Sequence, residues 1–242
     1  MPSGQDKKAE AAFFDELTDA GDYDVLAERG YARLLGEFQR HIPSSRPLRC
    51  VDLGCGSGEF TARLAPLGIE LHGIDLSPNA IALAQQRLPD ASFRVGDIED
   101  TGFEASSFDL VVLSGVLHHF PDLTHVTREC ARILKPGGLA LGYDPHRGNP
   151  FMRIYRCRDS PLYSSKGVTP NEEPVSRAKL EGAFAGAGFA STQVYPVSGV
   201  SFKFVESGVA RIALPIYNAL DSLLDLRPFR RFGSFLITVA RR

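Results

Sequence analysis

The sequence predicts an α/β protein built on a largely parallel sheet with helices on both faces. From Arg49 onward, short apolar runs alternate with longer segments of helical period, the pattern of strand, helix, strand in one sheet. A glycine-rich turn, "GCGSG", follows the first apolar run directly, where a parallel sheet places its ligand loops. The chain has 242 residues, 43% of them hydrophobic and 23% charged, enough to bury a substantial core.

Each element follows in order. Before the core, "AAFFDELTDAGDYDVLAERGYARLLGEFQRHI" suggests two or three amphipathic helices. "RCVDLG" (49 to 54) is the first strand and "GEFTARLAPLG" the helix after it. "ELHGIDL" (70 to 76) is the second strand; its helix opens at "SPNAIALAQQRL", with Ser77 as cap and Pro78 at the first helical position, where a missing N–H costs nothing. "ASFRVGDI" (91 to 98) and "FDLVVLSG" (108 to 115) are strands three and four. The helix over "PDLTHVTRECARILKPGG" carries Leu123, Val126, Cys130, Ile133 and Leu134 at helical spacing and stops at Pro136, Gly137 and Gly138. "GLALGYD" (138 to 144) is the fifth strand. Residues 145 to 175 have no clean period, and long irregular segments in compact domains are usually functional. A helix opens near Ser176 and ends by Gly186 and Gly188; "STQVYPV" (191 to 197) and "SFLITVARR" (234 to 242) are strands six and seven, with a helix around Arg211 to Leu226 between them. The expected organisation is one domain: an N-terminal helical lid (1 to 45), a ligand-binding core (46 to 144), caps at 145 to 175 and 198 to 233, and the remaining core at 176 to 197 and 234 to 242.

Bulk properties exclude several classes. A net charge of −2 with scattered lysines argues against a polyanion as main ligand, so no nucleic-acid partner is expected. The one dense basic cluster, "RPFRRF" (227 to 232), reads as a solvated edge. Cys50, Cys55, Cys130 and Cys157 form no metal-ligand spacing and read as reduced thiols. Charges in "MPSGQDKKAEAAFF" interrupt the apolar stretch a secretory signal needs, so a cytoplasmic protein is expected. No run reaches the ~18 apolar residues of a membrane span. The nearest, Val209 to Leu226, is broken by Arg211, Pro215 and Asp221 and suits a lid or core helix.

Ligands of such sheets sit beyond the carboxyl ends of the strands. Gly54, Gly56 and Gly58 let backbone N–H groups approach a ligand beside a helix N-terminus. A dinucleotide fingerprint, GxGxxG, wants a third glycine where this chain has Glu59, and a carboxylate there would repel a pyrophosphate. Asp75 ends strand two, placed to accept both hydroxyls of a ribose, or else to cap the next helix. Asp97 after strand three is placed for an adenine amino group with Ile98 against the ring, or is a turn aspartate.

The motifs "VDLGCGSG", "GIDLS", "RVGDIED", "FDLVVLSGVLHHF" and "LKPGG" resemble, in order and spacing, those of class I S-adenosylmethionine-dependent methyltransferases, especially the small-molecule branch related to the ubiquinone and menaquinone enzymes. The resemblance covers residues 46 to 144 closely and "FGSFLITVARR" more loosely. It implies a Rossmann-like sheet of seven strands ordered 3-2-1-4-5-7-6, with strand seven antiparallel. It implies S-adenosylmethionine as cofactor, its methionine part near Gly54 and Gly56, its ribose on Asp75 with Leu76 alongside, its adenine near Asp97 and Ile98, and Ser114 near the sulfonium. The expected activity is methyl transfer to an O, N or C centre of a small, partly hydrophobic metabolite, of the kind found in secondary metabolism.

A general base is needed only if the acceptor must first lose a proton. His118, His119 and His146 are the candidates, since imidazole titrates near neutral pH; the paired histidines can equally pack under the loop. Asp144 with His146 invites a metal, but the acidic ligand set of catechol-type members is not matched, so no metal is expected. The caps bring aromatic residues, among them Phe13, Phe14, Tyr23, Phe151, Tyr155, Phe202 and Tyr217, and Arg147, Arg153 and Arg156 could pair with an acidic group. Tyr23, Asp144, Arg147 and Tyr155 are the expected acceptor contacts. Other readings stay open: a nicotinamide oxidoreductase, a protein or nucleic-acid methyltransferase, and a member of the same fold that catalyses a cyclisation or rearrangement. The oligomeric expectation is a monomer or homodimer.

Overall fold

A computed structural model describes residues 5–20, 24–45, 47–165, 168–203, 208–224, 226 and 228–242. The sheet contains β1 (Arg49–Leu53), β2 (Glu70–Asp75), β3 (Ser92–Val95), β4 (Phe108–Ser114), β5 (Leu134–Pro145), β6 (Ser191–Val197) and β7 (Phe235–Arg241). Their order is β3-β2-β1-β4-β5-β7-β6, as the motif resemblance implied. β1 to β5 pair in parallel, and β7 runs antiparallel between β5 and β6. The order reverses between β1 and β4, and that switch point opens a cleft at the strands' carboxyl ends.

Helices cover both faces: α1 (Lys7–Ala20), α2 (Glu28–Gln39), α3 (Glu59–Leu64), α4 (Pro78–Arg87), α5 (Thr124–Ile133), α6 (Pro150–Arg156), α7 (Arg177–Gly186) and α8 (Gly208–Leu223). Local chemistry explains several starts. Ser77 Oγ accepts from Ala80 N at 3.0 Å, and Ser176 Oγ accepts from Lys179 N at 3.2 Å. The helical-period residues Leu123, Val126, Cys130, Ile133 and Leu134 are all buried in one cluster with Val111, Leu113 and Phe184. On the other face of the sheet, Phe38 and Tyr31 of α2 pack with Phe60, Leu110 and Tyr143.

Three expectations shift. β3 stops at Val95 because it is an edge strand whose partner β2 ends at Asp75. β5 begins at Leu134 rather than Gly138: Leu134 pairs with Phe108, and a bulge absorbs Lys135 to Gly138 before Leu139 pairs with Leu110. The irregular stretch after β5 contains α6, whose start is capped by Asn149 Oδ1, accepting from Phe151 N and Met152 N, both at 3.0 Å. Asn149 followed by Pro150 was a readable cap-and-first-turn signal.

Candidate active site

At the switch point a cavity of about 270 Å³ is bounded by the loop after β1, the ends of β2, β4 and β5, and a cover from α1, α6 and the segments near Glu172 and Phe202. The glycine loop forms its floor. Gly54 (φ 74°) and Gly56 (φ 51°) hold left-handed backbone that favours glycine. A Cβ on Gly54 would collide with the Val116 side chain, and one on Gly58 (φ 73°) would come within 2.9 Å of Ala84 Cβ on α4. Gly58 therefore makes the close helix approach that the third glycine of a dinucleotide fingerprint provides.

Asp75 lies at the floor's edge, 8% exposed. Its Oδ2 accepts from Gly56 N and its Oδ1 from Ser77 N, both at 2.9 Å. A carboxylate accepts about four hydrogen bonds, so each oxygen keeps capacity for a ligand hydroxyl. Burial raises its pKa against those backbone donors. Leu76, Ile98 and Ser114 also line the cavity, as expected. Asp97 is placed differently: it is outside the lining, and its Oδ2 takes Lys7 Nζ of α1 at 2.5 Å.

Beneath the loop is a buried group that the motif reading passed over. Asp52 on β1 accepts from Thr61 Oγ1 at 2.6 Å and from Ser114 Oγ at 2.8 Å, tying β1, α3 and β4 together. Complete burial pushes its pKa up to about 6. An aspartate inside an apolar strand, "CVDLG", was its signal.

Glu59 is not a bare charge. Arg63 Nη1 meets it at 2.5 Å and Arg87 Nη1 at 2.8 Å. Arg87 also donates to Asp24 at 2.9 Å and to Ser57 O at 2.8 Å, clamping the segment before α2 onto the glycine loop. Among the described residues, the lining carries the carboxyl groups of Glu10, Asp24, Glu59, Asp75 and Glu172; Glu59 is paired with Arg63 and Arg87, Asp24 with Arg87 and Glu10 with His119, and Arg156 lines the same cavity.

The two adjacent histidines begin the loop after β4 and play different parts. His118 Nδ1 is hydrogen-bonded to Asp144 Oδ1 at 3.0 Å, and its backbone N–H donates to the same oxygen at 3.0 Å. Burial holds the His118 imidazole neutral, well below its usual range, and pushes the Asp144 carboxyl up to about 8. Asp144 is fully buried behind His118 and holds the ring's orientation through these two bonds.

His119 faces the cover. Its Nδ1 is 3.3 Å from Glu10 Oε2 and 3.2 Å from Thr169 Oγ1, and its ring meets Phe14 edge-on with centroids 5.3 Å apart. Burial lowers its proton affinity, but Glu10, Glu172 and Asp144 together raise it above the usual value. His118, His119 and Glu172 each bring a ligand atom within 4.8 Å of the others. Thr169 bridges two of them, its Oγ1 meeting His119 and its N–H donating to Glu172 Oε2 at 3.3 Å, so a hydrogen-bond network accounts for the grouping.

Other expected contacts fall elsewhere. His146 is outside the cavity; its Nδ1–H donates to Gly233 O at 2.8 Å and fastens β5 to the turn before β7. Arg147 pairs with Glu173 at 2.5 Å and Asp159 at 3.1 Å, bracing the cap instead of facing a ligand. Tyr155 does line the cavity, next to Met152 and Arg156. Phe13, Phe14 and Phe202 line it from the cover. Tyr23 lies outside the described residues.

This geometry, a glycine loop, an acid at the end of β2 and a hydrophobic cover, coincides with a family match. Residues 51–142 match the methyltransferase domain family. The resemblance read from the motifs is borne out, and the matched span holds the whole floor of the cavity. Relatives extend it. A ubiquinone biosynthesis O-methyltransferase of Xanthomonas oryzae pv. oryzae is 40% identical over 95 residues, 37% of this chain and 40% of that protein. A 27-O-demethylrifamycin SV methyltransferase of Amycolatopsis mediterranei is 34% identical over 129 residues, 50% of this chain and 47% of that protein. The chain thus spans less than half the length of these curated relatives. Among solved structures, a methyltransferase of Thermotoga maritima described as a possible histamine N-methyltransferase superposes with a TM-score of 0.66 at 19% identity, covering 95% of this chain and 98% of that one. Phosphoethanolamine N-methyltransferase 2 of Haemonchus contortus superposes with a TM-score of 0.69 at 18% identity, covering 98% of this chain and 59% of that one. These last two likenesses concern the fold.

Proposed function

We propose that the protein transfers a methyl group from S-adenosylmethionine to a small, partly hydrophobic acceptor held between the glycine loop and the α1–α6 cover. Asp75 carries this reading: buried at the end of β2, with acceptor capacity left on each carboxylate oxygen, it fits the ribose diol of a nucleoside. When bound, S-adenosylmethionine supplies a methyl already activated by the sulfonium charge. The protein's part is then to align the acceptor and exclude water. Asp75 holds the ribose and the backbone of Gly54 to Gly56 the methionine part, and Phe13, Phe14, Met152, Tyr155 and Phe202 enclose the acceptor side.

An oxygen acceptor is favoured over nitrogen or carbon by His118, a neutral imidazole at the cavity wall whose Nδ1 is held by Asp144, which leaves Nε2 to accept a proton from a hydroxyl. Glu10, carried on α1, reaches His119 from the cover, so closing the cover completes the site. The division into a cofactor core and substrate caps belongs to the same proposal. Isotope transfer from methyl-labelled S-adenosylmethionine into phenolic and alcoholic acceptors tests it. Tight cofactor binding without methyl loss on any acceptor class would favour the alternative, a cyclisation or rearrangement on the same fold.

A further inference from the structure

Among the described side chains of α8, the polar Asn218 and Asp221 turn toward the protein while a row of apolar residues faces solvent. Asn218 Nδ2 donates to Phe202 O at 2.9 Å, and its Oδ1 accepts from Phe202 N at 3.1 Å. Asp221, 1% exposed, accepts through Oδ2 from Gly199 N at 2.7 Å and Val200 N at 3.1 Å. These four bonds fix the rotation of the helix about its axis. They leave Ile212, Pro215, Ile216, Ala219, Leu220 and Leu223 facing outward, the spacing of one helical stripe. Ile212 is 83% exposed, Ile216 65% and Leu223 57%. The stripe runs on into Leu226 and Phe229, exposed by 57% and 48%. A contiguous apolar surface held outward by hydrogen bonds marks an interaction site.

Charge identifies the medium it meets. Arg227, Arg230 and Arg231 follow the stripe closely in sequence, against one carboxylate, Asp225, among residues 223 to 234. Arg230 and Arg231 are exposed immediately after Phe229. Arginines bordering an apolar helical face match the anionic interface of a lipid bilayer. A second copy meeting this face symmetrically would set Arg230 and Arg231 against their own counterparts.

We propose that the outward face of α8, together with Leu226, Phe229, Arg230 and Arg231, docks the protein on an anionic lipid surface. The contact is peripheral: among the described residues no helix is long and apolar enough to cross a membrane. Phe202, gripped by Asn218, lines the cavity, and Tyr217 of α8 packs on Phe202 and Phe151. The docked face therefore adjoins the apolar cover, and an amphiphilic acceptor dissolved in the membrane would enter from this side. That last consequence rests on the proposed function; the docking does not.

The test is co-sedimentation of the full chain with vesicles of phosphatidylcholine alone or mixed with phosphatidylglycerol. Binding is expected to the mixed vesicles and to weaken as salt rises. Ile212→Ser/Ile216→Ser and Arg230→Glu/Arg231→Glu should each weaken it about tenfold or more, with the thermal melt and S-adenosylmethionine binding unchanged; Leu223→Ser serves if the double isoleucine variant melts early. Absence of sedimentation with mixed vesicles, or binding that neither variant weakens, overturns the proposal. A dimer in light scattering that Ile212→Ser/Ile216→Ser dissociates, without vesicle binding, assigns the face to a second copy instead. Sedimentation needs no turnover, so a missing methyl transfer would count against the proposed reaction and leave the docking result standing.

Discussion

Asp75→Ala separates the proposed cofactor site from a mere turn. The carboxyl is buried, with one acceptor position on each oxygen used by Gly56 N and Ser77 N, leaving about two for a ribose diol. Hydrogen bonds to a charged group contribute about 1.5–3 kcal/mol. Removing the carboxylate should therefore weaken S-adenosylmethionine about 10- to 150-fold, at about 1.4 kcal/mol per tenfold. Isothermal titration measures it directly, with S-adenosylhomocysteine as a second ligand. Asp97→Ala is the matched control: its carboxylate is already held by Lys7 and lies outside the lining, so affinity should change less than about threefold. A Kd for Asp75→Ala within threefold of the parent, in a protein with an unaltered melt, would refute the assignment. So would a larger loss in Asp97→Ala.

Other predictions concern the histidines and the loop beneath them. His118→Ala should lower kcat by about 10²- to 10⁴-fold on a hydroxyl acceptor while leaving cofactor affinity intact; an unchanged kcat removes His118 from proton transfer. Because Glu10, Glu172 and Asp144 raise the His119 pKa, the stabilisation of its charged form is fully present below the unfolded value of 6.5 and is lost as pH rises through the raised one. Protection factors for hydrogen exchange in α1, corrected for the intrinsic pH dependence, should accordingly be higher at low than at high pH, and Glu10→Gln should flatten the difference; pH-independent protection would count against the Glu10–His119 contact. Asp52 has the same sign: with its pKa raised to about 6, its ionisation costs stability as pH climbs through that value. Asp52→Asn should thus lose Tm against the parent at pH 5 and regain part of it at pH 8, read by calorimetry. Gly58→Ala combines a left-handed backbone with a 2.9 Å approach to Ala84, and should lower stability by about 1–3 kcal/mol in denaturant unfolding, whereas Gly182→Ala, with open space around it, should not.

The floor of the site was legible because its residues are attached to strand ends. Gly54, Gly56, Asp75, Ile98 and Ser114 each follow an apolar run by a short, fixed interval, and a parallel sheet aligns those ends automatically. Asp97 follows the same logic, yet β3 is an edge strand that ends at Val95, and in this structure Lys7 of α1 reaches the carboxylate in its loop. His146 and Arg147 sit beside Asp144 in the chain, yet the turn before β7 and the cap's own acids claim them.

The sequence by itself determined the strands and helices, because periodicity and glycine turns act over a few residues, and the resemblance carried by its motifs implied the sheet order and the cofactor side of the cavity. Tertiary structure alone decided the acceptor side. Glu10 meets His119 across more than a hundred residues, and Asp144 chooses His118 over its neighbour His146 through a fold-dependent hydrogen bond. α8 makes the same point in reverse. Its amphipathic period is plain in the sequence, but periodicity cannot say which face turns inward. Asn218 and Asp221, bonding the backbone near Phe202 and Gly199, settle that by satisfying buried donors and acceptors that the apolar stripe could not.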